Sequence, residues 1–111
     1  MVRIHSEIVR GKARMVINYK RLNDNTRNDG YKLPDKTELI NRIQGKTIFS
    51  KFDCKSGYWQ IKMHPDSIEW TTFTCPQGHF ELLVMPFGLK TAPPIFQRKM
   101  DKIFGEYKNL F

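Results

Sequence analysis

With 111 residues the chain is expected to form at most one domain, near the small end of the range in which a single core is stable. Hydrophobic residues at 40% and charged residues at 27% exclude wholesale disorder, while a formal charge of +8 favours a polyanionic partner such as nucleic acid without establishing one. Cys54 and Cys75 match neither a metal-knuckle nor a redox spacing, no apolar run reaches the roughly 18 residues of a membrane span, and the start lacks a signal peptide's apolar stretch. Free thiols and an intracellular location, cytoplasmic or nuclear, are therefore expected.

In chain order, Lys12 to Lys20 alternates Met15, Ile17 and Tyr19 with Arg14, Val16 and Asn18, the pattern of a half-buried strand. Asn23 to Gly30 is rich in Asn, Asp and Gly and predicts an exposed loop. After Pro34, Asp35 and Glu38 have the spacing of a capping box. Leu39, Ile40 and Ile43 form an apolar face and Gly45 is a stop, so a short helix is predicted. Thr47 to Asp53 supplies β-branched and aromatic residues for a strand that ends on a carboxylate.

Thr71 to Cys75 and His79 to Val84 flank Pro76, Gln77 and Gly78, which predicts a hairpin. Thr91 as N-cap, Pro93 and Pro94 in the opening turn, and Ile95, Phe96, Met100, Ile103, Phe104 and Tyr107 at helical spacing predict a last helix packed against the sheet. A single α+β unit without repeats or linkers is the expected architecture.

Asp53 is the first candidate for chemistry. A carboxylate at a strand end can hold Mg²⁺, an ion typically bound by one or two carboxylates plus phosphates, although spacing alone favours an Asp that caps a turn. Phe49 to Gln60, reading Phe-Ser-Lys-Phe-Asp-Cys-Lys-Ser-Gly-Tyr-Trp-Gln, resembles motif A of reverse transcriptases, and Met85 to Gln97, reading Met-Pro-Phe-Gly-Leu-Lys-Thr-Ala-Pro-Pro-Ile-Phe-Gln, resembles motif B. Arg14 to Asn23 resembles the fingers strand upstream, and Phe73 to Phe80 the hairpin between the motifs. From about Gly11 to Phe104 the chain resembles the reverse transcriptases of plant pararetroviruses of the caulimovirus and badnavirus type, with retrotransposon enzymes next.

The resemblance implies partial fingers and palm of an RNA-directed DNA polymerase. In its full-length form such an enzyme adds deoxynucleotides to a primer on an RNA or DNA template. Asp53 would be the catalytic metal ligand, with the backbone carbonyl of Cys54 assisting. Ser56 and Gly57 would lie beneath the triphosphate, and Tyr58 would be the steric gate against a 2′-hydroxyl. Arg14, and more weakly Lys12, would reach the triphosphate from the fingers, where a guanidinium fork suits phosphate. Phe87 and Gly88 would shape the pocket floor, Phe87 standing where retroviral enzymes often carry Gln. Lys20, Asn23, Pro93 and Gln97 would meet the template.

Tyr19, Arg21, Arg27, Lys90, Arg98 and Lys99 suit phosphate contacts without base reading. His5, His64 and His79 do not cluster with the cysteines and carry no expected chemistry.

The family's third signature, Tyr-x-Asp-Asp, does not occur in the 111 residues. With one of the expected carboxylates, weak Mg²⁺ binding, no DNA synthesis by this polypeptide alone, and an exposed edge on the motif A strand are expected. The alternative is a basic, non-catalytic remnant that holds nucleic acid.

Overall fold

The computed structural model describes residues 15–107, so Lys12 and Arg14 lie outside the described residues. In chain order come helix α1 (Lys20–Asp24), helix α2 (Lys36–Ile43) and two 3-10 turns (Gly57–Gln60 and Pro65–Thr71). An antiparallel pair follows, β1 (Phe73–Cys75) with β2 (Gly78–Phe80), then helix α3 (Ala92–Phe104) and a closing 3-10 turn, Gly105–Tyr107. The mixture of helices with one small sheet is compatible with the expected α+β class. No helix among the described residues is long and apolar enough to cross a membrane.

The strand expected over Lys12 to Lys20 does not form in its described part. Residues 15–19 carry no ladder and Lys20 opens α1. The cause is local: the Lys20 N–H donates to the Asn18 side-chain oxygen at 3.0 Å, one of the short polar contacts that compete with strand pairing. Tyr19 is consequently turned into the interior, whereas Met15 is 64% exposed.

Of the capping box expected at α2 the first half forms, the Asp35 carboxylate accepting from the Thr37 N–H at 3.1 Å, while Glu38 makes no return bond to Asp35 among the described residues; Gly45 takes a φ of +74° just past the C-cap Gln44. Its apolar face stays open, with Leu39, Ile40 and Ile43 all exposed. Thr47 to Asp53 is a second correction. The run has strand composition but no strand, and Ile48 and Phe52 are 89% and 82% exposed. β-propensity describes fit to a pleated neighbour, and no strand among the described residues pairs with this run.

The hairpin is shorter than expected. Cα partners are Phe73 with Phe80, Thr74 with His79 and Cys75 with Gly78, leaving Pro76 and Gln77 as the connection. Beyond Phe80 the chain departs from β1, because the Thr71 hydroxyl takes the Leu82 N–H at 2.8 Å. The rest of the expected strand turns to the segment after motif A. Lys62 bridges Val84, the Met63 N–H donates to the Leu83 carbonyl at 2.9 Å, and the Met85 N–H donates to the Ile61 carbonyl at 2.8 Å.

The interior is small and polar at its centre. Thr71 and Ala92 are wholly buried, Met85 and Tyr19 nearly so, and the Tyr19 hydroxyl donates to the Thr71 carbonyl at 3.0 Å. Burial pushes the Tyr19 phenol above its ordinary pKa. Helix α3 does not take the sheet as its main support, as its spacing had suggested. Its principal neighbour upstream is the Gly57–Gln60 turn, because two three-residue strands offer too little surface for its apolar stripe.

Candidate functional site

The chain after Asp53 bends sharply. Ser56 adopts a left-handed conformation with φ of 50°, a backbone state that costs a non-glycine residue on the order of 1 kcal/mol and is often found at functional sites. The bend is held from both sides. The Gln60 side-chain amide donates to the Lys55 carbonyl at 2.7 Å, and the Trp59 N–H donates to the Ser56 carbonyl at 3.0 Å. Asp53 and Cys54 stand exposed immediately before it.

Gly57 and Tyr58 then pass under α3. The Tyr58 ring lies 5.1 Å from Phe87 and 5.5 Å from Phe96 between centroids, the second contact edge-on, and Trp59 meets Phe87 at 6.1 Å. Such aromatic contacts each add about 0.5–1.5 kcal/mol beyond area burial. Ser56, Gly57, Tyr58 and Phe87 therefore lie along one stretch of packing, with Asp53 exposed just before the bend, although Phe87 lies far along the chain from the others.

Gly88 follows Phe87 and packs against the segment before α1. Its φ of +95° favours glycine, and a Cβ there would stand 3.4 Å from the Ile17 carbonyl oxygen and 3.8 Å from the Tyr19 ring. Asn23 brackets this turn with both ends of its amide: Nδ2 donates to the Gly88 carbonyl and Oδ1 accepts from the Lys90 N–H, each at 2.8 Å. The Lys90 ammonium adds a bond to the Thr26 carbonyl at 3.1 Å. Asn23 thus holds the motif B turn in place. Lys20, also expected at the template, is exposed and paired with Asp24 at 2.8 Å.

On α3, Pro93 is exposed in the opening turn and Gln97 is half-buried one turn later. The Gln97 Nε2 donates to Asp101 Oδ1 at 3.0 Å, and the other oxygen of Asp101 accepts from the Tyr31 hydroxyl. Arg98 seals the same corner, donating to Asp29 at 2.8 Å and lying 4.8 Å above the Tyr31 ring. The hydrogen bond to Asp101, reinforced by desolvation and by the carboxylate's charge and opposed by Arg98, holds the Tyr31 phenol above its ordinary pKa.

Neither Tyr31 nor Asp101 stood out in the sequence. The only local signal was the four-residue spacing of Gln97 and Asp101 on one helix face. An open cleft of about 840 Å³ joins this corner to the motif A segment, with Phe52, Cys54, Leu39, Gln97, Asp101 and Phe104 among its walls.

As a cation site, Asp53 with the Cys54 carbonyl offers the hard oxygen donors that suit Mg²⁺. The set is thin, because no group of three His, Cys, Asp or Glu side chains converges among the described residues. Lys12 and Arg14, the expected triphosphate contacts, lie outside the described residues.

A family model described as reverse transcriptase (RNA-dependent DNA polymerase) matches residues 5–111. An enzymatic polyprotein of Cauliflower mosaic virus (strain Strasbourg) is 55% identical over 108 residues, which are 97% of this chain and 16% of that protein. An enzymatic polyprotein of Figwort mosaic virus (strain DxS) is 54% identical over 91% of this chain and 15% of its own length. Polyprotein P3 of Commelina yellow mottle virus is 54% identical over 86% of this chain and 5% of its own length. The chain thus spans a small part of each of these relatives.

Proposed function

The chain belongs to the reverse transcriptase (RNA-dependent DNA polymerase) family, of the plant pararetrovirus type, and from that premise we propose that it supplies the deoxynucleotide-selecting part of a polymerase site. The observation that carries the proposal is the packing of Tyr58 between Phe87 and Phe96, which unites the two motif segments at the residues expected to bound the nucleotide.

In this reading Asp53 and the Cys54 carbonyl hold Mg²⁺, which when bound neutralises triphosphate charge and favours attack by the primer hydroxyl. The left-handed bend at Ser56 turns the backbone N–H groups of this segment toward the phosphates, while the space left by the missing Gly57 side chain is taken by the Phe96 ring. Tyr58, fixed by its two ring neighbours, blocks a 2′-hydroxyl and leaves deoxynucleotides as substrates. Phe87 and Gly88 floor the pocket, and Arg14 with Lys12 completes the phosphate contacts from the fingers side. Lys20, Pro93 and Gln97 face the RNA or DNA template, with Asn23 supporting them through its hold on the Gly88 turn.

With one carboxylate of the usual set, the 111-residue polypeptide alone is not expected to extend a primer. The direct test exchanges this segment for its 55% identical counterpart in the Cauliflower mosaic virus enzymatic polyprotein and measures DNA synthesis on an RNA template. Synthesis that disappears in Asp53→Asn supports the proposal. A folded chimera without activity, or one indifferent to Asp53→Asn, overturns it and leaves salt-dependent binding of nucleic acid as the alternative role for a chain of charge +8.

A further inference from the structure

Three residues from two distant parts of the chain meet at one corner of the cleft. The Asp101 carboxylate divides its oxygens, Oδ1 accepting from Gln97 and Oδ2 from Tyr31, across 70 positions of sequence in the second case. A carboxylate accepts and never donates, so it fixes which end of the Gln97 amide faces it. That leaves the Gln97 carbonyl oxygen and one N–H as the hydrogen-bonding capacity available to a ligand. Without Asp101 the amide could turn end for end, and the long Gln side chain would regain rotamer freedom that has to be lost again on binding.

Tyr31 is itself locked. Its ring lies under the Arg98 guanidinium, which is tied to Asp29, so the hydroxyl approaches Asp101 from a loop pinned to α3 by a separate ion pair. The arrangement is a support for Gln97 built from outside its own helix. Both Gln97 and Asp101 line the cleft that also contains Cys54, next to the proposed metal ligand.

We propose that Asp101 and Tyr31 are positioning residues for the template strand, acting through the orientation they impose on the Gln97 amide. The proposal rests on the polymerase reading of the site. It adds two residues and a relay, Tyr31 to Asp101 to Gln97, whose effect falls on template-primer affinity and not on the chemical step.

The test uses the chimeric polyprotein described above and measures kcat and KM for template-primer. Tyr31→Phe removes the hydroxyl and keeps the ring beneath Arg98, and Asp101→Leu removes the acceptor. Each is expected to raise the template-primer KM roughly fivefold to tenfold with kcat nearly unchanged, the loss ordinarily attached to one or two hydrogen bonds. In a Gln97→Ala background both substitutions should lose most of that effect, since nothing remains to be oriented. Additive effects in that double-mutant cycle overturn the relay, as does a Gln97→Ala chimera with an unchanged template KM. Thermal melts of Tyr31→Phe distinguish a positioning effect from loss of fold, because a purely structural role would lower kcat and the melting temperature together. An inactive parent chimera, by contrast, is a failure of the polymerase reading and appears before any of these variants is made.

Discussion

The ring of Phe96 lies over Gly57 so closely that a Cβ at position 57 would stand 3.0 Å from Cε2 and 3.1 Å from Cζ. The glycine of one motif is therefore the space into which a side chain of the other fits. Gly57→Ala is expected to force the ring aside and cost about 1–3 kcal/mol, the usual penalty of overpacking. Gly30→Ala, at a site with nothing within 4 Å, is the matched control. Urea unfolding of the two variants checks this, and equal midpoints would show that Phe96 yields without strain.

Thr71 sits at zero exposure with its hydroxyl used twice, donating to the Ile68 carbonyl at 2.6 Å and accepting from the Leu82 N–H at 2.8 Å. Thr71→Val keeps the shape and strands the Leu82 N–H. A loss of about 1–3 kcal/mol is expected, because the burial cost of an unpaired donor is then uncompensated. Hydrogen exchange at the Leu82 amide should accelerate in parallel with the fall in denaturation midpoint. Unchanged protection there would mean another acceptor takes over.

Asn23 is expected to matter through its two bonds to the Gly88 turn. Asn23→Ala should cost about 1–2 kcal/mol, and Asn23→Asp nearly as much, since a carboxylate still accepts from Lys90 but is set against the Gly88 carbonyl. Full rescue by Asp would show that only the Lys90 bond counts.

The sequence was most legible where structure is decided locally. The Asp35 cap, the Gly45 stop and the proline-opened helix α3 each depend on residues within a turn of one another, and all are present. It was least legible where the deciding partner is distant in the chain or where no described strand pairs with the segment. Ile48, Phe49 and Phe52 have the composition of a strand, yet a strand exists only as half of a pair. At the site, motif resemblance pointed to Tyr58 and Phe87, whose rings do meet. The hold of Asn23 on Gly88, across 65 positions, left no periodic trace, nor did the Tyr31–Asp101 contact.

Alkaline pH should destabilise the fold, and the sign follows from Tyr19. Burial raises its pKa above the ordinary 10.0, so its contribution is complete below that value. Above it the unfolded chain has released a proton that the native chain retains, and stability falls as pH rises through the native pKa. Tyr31, raised chiefly by its hydrogen bond to Asp101, acts in the same direction. Thermal midpoints measured across pH 10.0 are expected to decline, and Tyr19→Phe should make the decline shallower while lowering stability at neutral pH by about 1 kcal/mol for the lost bond to Thr71. An equally steep decline in that variant would assign the alkaline limb to other groups.

The charge of +8 does not act as one undivided patch. Arg98 is committed to Asp29 and the Lys90 ammonium to the Thr26 carbonyl, whereas Arg21, Arg27 and Lys99 are exposed with no carboxylate partner among the described residues. If the exposed group meets the phosphates of a single strand, its triple alanine variant should reduce the slope of log affinity against log salt by about 2, from roughly 0.7 per cation removed. Arg98→Ala should leave the slope nearly intact and lower stability instead, because it releases Asp29 and uncovers Tyr31. Salt titrations of anisotropy with a labelled oligonucleotide separate the two groups. The reverse pattern, a slope lost in Arg98→Ala and kept in the triple variant, would mean that nucleic acid displaces Asp29, and that the corner supporting Gln97 opens when the strand binds.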